Sequence, residues 1–468
     1  MKTHITLARC AVWFLLVISA ENNCFGSAGI AESFSGTPST YRHFEVSEAE
    51  GRVRTCTPIP VTSLPLWASD VSQEKWDWSQ SETDSIPLFH APIPFVIPPA
   101  EGANEPFFLH NHQPSIAWVD NGDLLAIWFS TMDERGVELT VLASRLRAGN
   151  AEWDASSEFF KAQNRNMSGS SLFNDGRGVL YHFNGIGAAG IRRDQSKNQA
   201  LILRVSTDNG RSWSVPLAID PEYRNDHQVI SGTLVTRHGV MIQPCDVAQM
   251  KGSNQSTIYI SRDRGITWFN PGRGRVGSGS ANHPMSGSLI AGIHAGVVEL
   301  NDGRLMALSR RHEIDERMPV SISRDTGETW TYAPSPFPPI GGGQRCVFMR
   351  LREGPLLLVS FTDKRKADEK TGLSFQDNDG KEFTGYGLFA ALSFDEGDSW
   401  PIKKLITPGS GEYDGGAWTG PFATSPTQAE HGGYLAATQS PDGIVHLVSS
   451  RLYYRFNLAW LKVPAPHA

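Results

Sequence analysis

Ser323-Arg-Asp325-Thr-Gly327-Glu-Thr-Trp330 has three near copies in the same chain. They are Ser206-Thr-Asp208-Asn-Gly210-Arg-Ser-Trp213, Ser261-Arg-Asp263-Arg-Gly265-Ile-Thr-Trp268 and Ser393-Phe-Asp395-Glu-Gly397-Asp-Ser-Trp400. The shared spelling is Ser-x-Asp-x-Gly-x-x-Trp. Each copy follows a short apolar run such as Leu201-Ile-Leu203. The Asp carboxylate is placed to accept hydrogen bonds from N–H groups of its own turn. Gly supplies a backbone angle that other residues resist. Trp folds back as an apolar plug. The pattern predicts a strand, a tight turn and a returning strand, four times over.

A second repeat surrounds the first. Apolar runs meet at Asp120-Asn-Gly122, Asn174-Asp-Gly176, Arg237-His-Gly239, Asn301-Asp-Gly303, Arg352-Glu-Gly354 and Pro441-Asp-Gly443. A short polar-Gly turn between apolar strands, above all Asn-Gly or Asp-Gly, signals a hairpin. Ser144-Arg145 through Trp153 reads as a degenerate fifth copy of the first motif. The equivalent serines 144, 206, 261, 323 and 393 are 62, 55, 62 and 70 residues apart. Four strands per unit at such a period is the signature of a β-propeller, and six hairpins predict six blades. A large β-sandwich, the alternative all-β architecture, leaves the period unexplained. The expected division is 1–20 signal peptide, 21–105 irregular extension and 106–463 six-bladed propeller of four-stranded antiparallel blades.

Composition narrows the function. The 468 residues carry a net charge of −7, which argues against nucleic acid as a partner. Lys2, Arg9 and the apolar run Ala11–Ile18 resemble a secretory signal, too short to span a membrane. A secreted protein, extracellular or periplasmic, is expected, without a membrane span and monomeric. Cys10, Cys24, Cys56, Cys245 and Cys346 show no CxxC spacing, so neither a zinc site nor a disulfide scaffold is indicated. Within 21–105, Trp67, Trp76 and Trp78 point to packing on the main domain, and Ile86–Pro99 to an edge strand or wrapping arm.

If strands A to D run outward from the centre, the Gly hairpins and the Ser-x-Asp turns share one face. The opposite face carries the start of each A strand and each B–C loop, where a propeller ligand site usually sits. That face collects His110, His112 and Gln113, then Asp226, His227 and Gln228, then His294, Arg345, Glu430 and Tyr434. The B–C loops add Asp133, Glu134, Arg135, Glu138, Arg192, Arg193, Asp246, Arg310, Arg311 and Arg365. Converging arginines in an acidic protein suit a carboxylate-bearing ligand. Arg310 is the strongest single candidate, because it ends the apolar run Leu305–Leu308 and so points from the centre of its blade; Arg345 follows. Arg311, His227, His294 and Asp226 complete the expected substrate contacts. Asp133 and Glu138 are the acid/base candidates in the first B–C loop, and His112 is placed for proton transfer. His110 and His112 lack a third ligand by spacing, so no metal or other cofactor is expected.

The Ser-x-Asp-x-Gly-x-x-Trp pattern is the Asp-box, and with the hairpins it resembles the sialidase (neuraminidase) superfamily of propellers over residues 106–463. His112-Gln-Pro114 through Asp133-Glu134 and Glu138 is similar to the first sialidase blade. That likeness implies Asp133 as acid/base, with Glu138 the rival at an offset alignment. It implies Arg310 as one arginine of a carboxylate-binding triad, and Gly433-Tyr434 as the segment of the nucleophilic tyrosine. A phenol needs a base beside it, and Glu430 or Asp226 is expected to serve. His112 stands where the first arginine belongs, and Tyr386-Gly387 where the third is sought. The resemblance implies a secreted exo-glycosidase that hydrolyses a terminal acidic sugar from glycans. The alternatives are another carbohydrate-active propeller, a rhamnosidase or a uronate lyase using His112, and a non-catalytic glycan-binding propeller.

Overall fold

A computed structural model describes residues 44–47, 55–58, 64–80, 86–248, 255–274 and 286–464. Residues 1–20, read as a signal peptide, lie outside them, as do Cys10 and Cys24. The chain forms a six-bladed β-propeller of small antiparallel sheets. Blade 1 comprises His110–Trp118, Leu124–Thr131, Thr140–Leu146 and Ser157–Phe160. Blade 2 comprises Ser170–Asn174, Leu180–Gly187, Gln199–Ser206 and Leu217–Arg224. In blade 3 the inner strand is split, Gln228–Val229 and Leu234–Val235 both pairing with Met241–Val247. Blades 4 and 5 begin at Ile293–Glu299 and Val347–Arg350.

Blade 6 closes the ring with chain from both ends. Ala436–Gln439, Ile444–Val448 and Leu452–Asn457 are followed outward by Phe89–Pro94, antiparallel to Leu452–Asn457. The stretch read as an edge strand or arm is thus the outer strand of the last blade, contributed from ahead of residue 106. Two prolines, Pro92 and Pro94, sit in this strand, as an outer edge allows. Nearby, buried Trp67 meets Phe159 edge-on at 5.1 Å, and Trp78 meets Trp118 at 5.8 Å.

The Asp-boxes take the form their spelling requires. In the third, Asp325 Oδ1 accepts from Ser323 Oγ at 2.8 Å and Thr329 N at 2.9 Å, and Oδ2 accepts from Thr329 Oγ1 at 2.5 Å. The same contacts recur at Asp208, Asp263 and Asp395. Gly327 has φ +90°, and a Cβ there would lie 2.4 Å from Ile258 Cδ1, so both backbone and space exclude a side chain. Trp330 is 1% exposed in the core between blades 3 and 4; truncating such a ring costs about 3–5 kcal/mol. The sheet interiors read as Val, Ile, Leu and Phe runs because each blade is sandwiched between two others.

Candidate active site

Two of the inner strands break their register where they reach the opposite face. Blade 1 bulges between His112 and Ser115, blade 4 between Ile293 and Gly296. In each bulge one non-glycine residue is left-handed, Gln113 at φ +56° and His294 at φ +57°. Bulges re-aim side chains, and strained backbone is retained where the surroundings hold it. Here they turn His112 and His294 toward Tyr434, whose segment Gly433–Tyr434 pairs in parallel with Gln344–Arg345.

The Tyr434 hydroxyl accepts from Arg310 Nη1 at 2.9 Å and contacts His294 Nε2 at 3.1 Å. The His112 ring lies 3.9 Å from the Tyr434 ring, and the Arg310 and Arg345 guanidinium carbons each lie 5.4 Å from its centroid. A cavity of about 250 Å³ opens above, lined by His112, Glu134, Arg193, Asp246, His294, Arg310 and Tyr434 among others. The larger cavity, about 590 Å³, lies at the other end of the central channel. Two of its arginines are already paired there, Arg350 with Glu396 and Arg237 with Glu299.

Electrostatics separate these groups. Burial holds the His112 imidazole well below its ordinary pKa, aided by His110 and Arg345. Burial pushes His294 down to about 4, against the pull of Asp246. Both rings are therefore neutral near pH 7. Burial also lowers Arg193 and Arg345 to about 10, leaving them charged. Burial works to raise Asp246, but His294 and Arg310 prevail and hold it below the usual carboxylate range. Arg193, Arg310, Arg135 and Lys197 thus line the cavity with only two carboxylates, Asp246 and Glu134, and the lining carries an excess of positive charge. Among the described residues, Arg193 Nη1, Arg310 Nε, Arg345 Nη1 and His112 Nε2 are buried without a hydrogen-bond partner, a costly state that a bound acceptor relieves.

Not every expected residue arrives. Asp133 turns away from the cavity into Arg135 and Arg192, at 3.0 and 2.8 Å. Hydrogen bonds from Arg135 first, and from Arg192, hold its carboxyl far below the usual range, the opposite of what a general acid needs. Glu138 is occupied with the loop itself, accepting from Thr131 Oγ1 at 2.8 Å and from Asp133 N at 3.1 Å. The residue after Asp133, Glu134, is the loop carboxylate that lines the cavity. Its Oε1 lies 2.9 Å from His110 Nε2 and accepts from Trp418 Nε1 at 3.1 Å. Burial raises Glu134, but these partners outweigh it and the net direction is down.

Asp226 and His227 sit apart, between blades 2 and 3: Asp226 bonds Arg224 and Asn270, and His227 faces Asp220 at 3.4 Å. Arg345 lies behind the tyrosine ring, bonded to Leu435 O. Arg311 is exposed on its loop at φ +65°. Neither residue proposed as base for Tyr434 touches it. Glu430 Oε2 accepts from Tyr454 Oη at 2.8 Å, and burial pushes its pKa up to about 8, so it stays protonated near neutral pH. Asp246 takes the expected place instead, through His294, with Nδ1 and Oδ2 2.5 Å apart, although neither atom completes a hydrogen bond of regular geometry. Trp418, at the tip of the hairpin Gly411–Asp414/Pro421–Thr424, has no sequence motif that would place it here.

The Asp-boxes are on the far face, distant from this chemistry. A family model described as a BNR repeat-like domain matches residues 122–447. A sialidase from Micromonospora viridifaciens is 23% identical over 272 residues, covering 55% of this chain and 35% of that protein, about a third of its length. Two solved structures share the fold. A Dyadobacter fermentans protein of unknown function has a TM-score of 0.53 at 15% identity, over 79% of this chain and 99% of that one. The Trypanosoma rangeli sialidase in complex with 2,3-difluorosialic acid, described as a covalent intermediate, has a TM-score of 0.50 at 15% identity, over 79% and 57%. The chain belongs to the BNR repeat-like domain family, as a six-bladed propeller of the sialidase superfamily.

Proposed function

We propose that the protein is a glycoside hydrolase of the sialidase type, removing a terminal sugar that carries a carboxylate on its anomeric carbon. The observation that carries this reading is the 2.9 Å bond from Arg310 to the Tyr434 hydroxyl. A carboxylate held by Arg310 lies beside whatever carbon Tyr434 attacks, so the acid group and the reacting centre belong to one carbon or its direct neighbour. Arg193, whose buried Nη1 has no partner while Nη2 bonds Gln228, adds a second donor to that carboxylate. A phenol is suited to this attack because a carboxylate nucleophile would be repelled by the substrate's own charge. As the Tyr434 oxygen bonds the anomeric carbon its phenolic proton passes to a neighbouring base, the glycosidic C–O bond breaks, and the leaving oxygen takes a proton through the Glu134–His110 pair. Water then adds to the anomeric carbon, its proton restores that pair, and the departing Tyr434 oxygen recovers its own proton.

A second reading, a uronate lyase, is favoured by one feature. The His112 ring lies against Tyr434, tilted by 45°, with its buried Nε2 unpaired. There, His112 would remove the proton beside the carboxylate, a C=C bond would form, and Tyr434 would protonate the departing oxygen. Aryl glycosides of N-acetylneuraminic and glucuronic acid, with acidic oligosaccharides, separate the two. Hydrolysis with Tyr434→Phe inactive, and a 2,3-difluoro sugar acid adduct on Tyr434, is the expected result. An unsaturated product, or full hydrolysis by Tyr434→Phe, overturns the first reading; binding without turnover leaves a lectin-like propeller.

A further inference from the structure

We propose that His294 is the base that takes the phenolic proton of Tyr434, and that Asp246 is the positioning residue that fixes its ring. This rests on Tyr434 acting as nucleophile, and it replaces the acid base expected for the tyrosine with a neutral imidazole. Tyr434 needs such a partner, since a free phenol holds its proton at neutral pH. His294 Nε2 is 3.1 Å from the hydroxyl, and no carboxylate oxygen is bonded to that hydroxyl among the described residues. On the other side, Asp246 grips both the backbone and the ring of the same residue. Its Oδ1 accepts from His294 N at 2.7 Å and from Ser256 Oγ at 3.0 Å, and its Oδ2 lies 2.5 Å from Nδ1.

A carboxylate beside Nδ1 keeps the proton there and leaves Nε2 as a lone pair facing the phenol. Nδ1 and Oδ2 are close but imperfectly aligned, as in many unliganded sites whose hydrogen bonds tighten on binding. The backbone supports the assignment independently: His294 is the left-handed residue of the blade 4 bulge, a strained conformation that persists only where the surroundings hold it. The charged groups facing the ring are Asp246, Arg310 and Arg345; His112 and Tyr434 are the titratable ones. In the step itself the phenol O–H bond breaks, the proton passes to Nε2, and the ring becomes imidazolium against Asp246. Arg310 steadies the phenolate. When water releases the sugar, the proton returns.

The test exploits the φ of +57°, which glycine adopts without strain. With the aryl ketoside of N-acetylneuraminic acid as probe, His294→Gly is expected to lower kcat about 10²–10⁴-fold. Free imidazole should restore activity at least about tenfold, in proportion to its neutral form across pH, as expected of a general base. Asp246→Asn should lower kcat comparably with KM little changed, because the amide presents a donor to Nδ1 and turns the wrong nitrogen toward Tyr434. Independently of turnover, proton NMR of the intact protein should show a downfield Nδ1–H resonance lost in both variants. A His294→Gly variant within about threefold of wild type, a loss that imidazole does not restore, or no such resonance in the wild type overturns the proposal. If Tyr434→Phe is inactive while both variants turn over normally, only this inference fails. If Tyr434→Phe is active, the hydrolase reading fails first.

Discussion

Glu430→Gln isolates a cost that the fold carries beneath the candidate site. Glu430 is 1% exposed, three residues before Gly433, with Oε2 bonded to Tyr454 and Oε1 unpaired among the described residues. Burial raises its pKa from the ordinary 4.5 to about 8, only partly offset by Tyr454 and Ser449. Ionising it in place therefore costs about 5 kcal/mol, at roughly 1.4 kcal/mol per pH unit. The sign follows from proton counting. Between pH 4.5 and 8 the native state keeps this proton and the unfolded chain has released it, so stability falls as pH rises. The group's contribution is complete below about pH 4.5 and is lost as pH climbs through 8. Gln imitates the protonated acid and removes the dependence. Urea melts of wild type and variant at pH 5 and pH 8 should therefore diverge by about 3–4 kcal/mol, the variant gaining at pH 8. Parallel pH dependence in the two proteins would refute a buried, protonated Glu430.

Other substitutions probe the face-to-face division of labour. Glu134→Gln should lower turnover of the aryl ketosides by about 10²-fold or more, and more so as the leaving group becomes less acidic. Asp133→Asn, changing a rim carboxylate paired outward with Arg135 and Arg192, should leave kcat within about threefold, since exposed pairs contribute little. Asp325→Ala removes the acceptor of one Asp-box turn. Urea melts should show a loss of about 1 kcal/mol, with affinity for a carboxylate sugar unchanged. A drop in affinity without a drop in stability would place that Asp in the site rather than the scaffold.

The propeller and its blade count could be read from the chain because each instruction is local. An Asp-box meets its own needs within eight residues: Ser323, Thr329 and Gly327 all serve the turn of Asp325. The hairpins likewise need only their own glycine and the apolar strands beside it. Arg310, His112, His294 and Tyr434 were legible for a related reason, since each lies at the central end of a strand and strand ends can be located by pattern.

Which neighbour faces inward could not be read that way. Asp133 and Glu134 are successive residues of one loop, and Glu138 and Thr131 decide the turn that sends one outward and the other to the cavity. The base expected for Tyr434 could not be found by spacing, because Glu430 is near it in sequence yet buried against Tyr454, while Asp246 is 188 positions away and reaches it through His294. The sequence alone determined the strands, the turns, the number of blades and the face on which the candidate residues collect. Only closure of the ring decided which side chains meet. Bulges at His112 and His294, each beside or at a left-handed residue, set their aim, and a bulge's direction depends on what packs against it from the neighbouring blades.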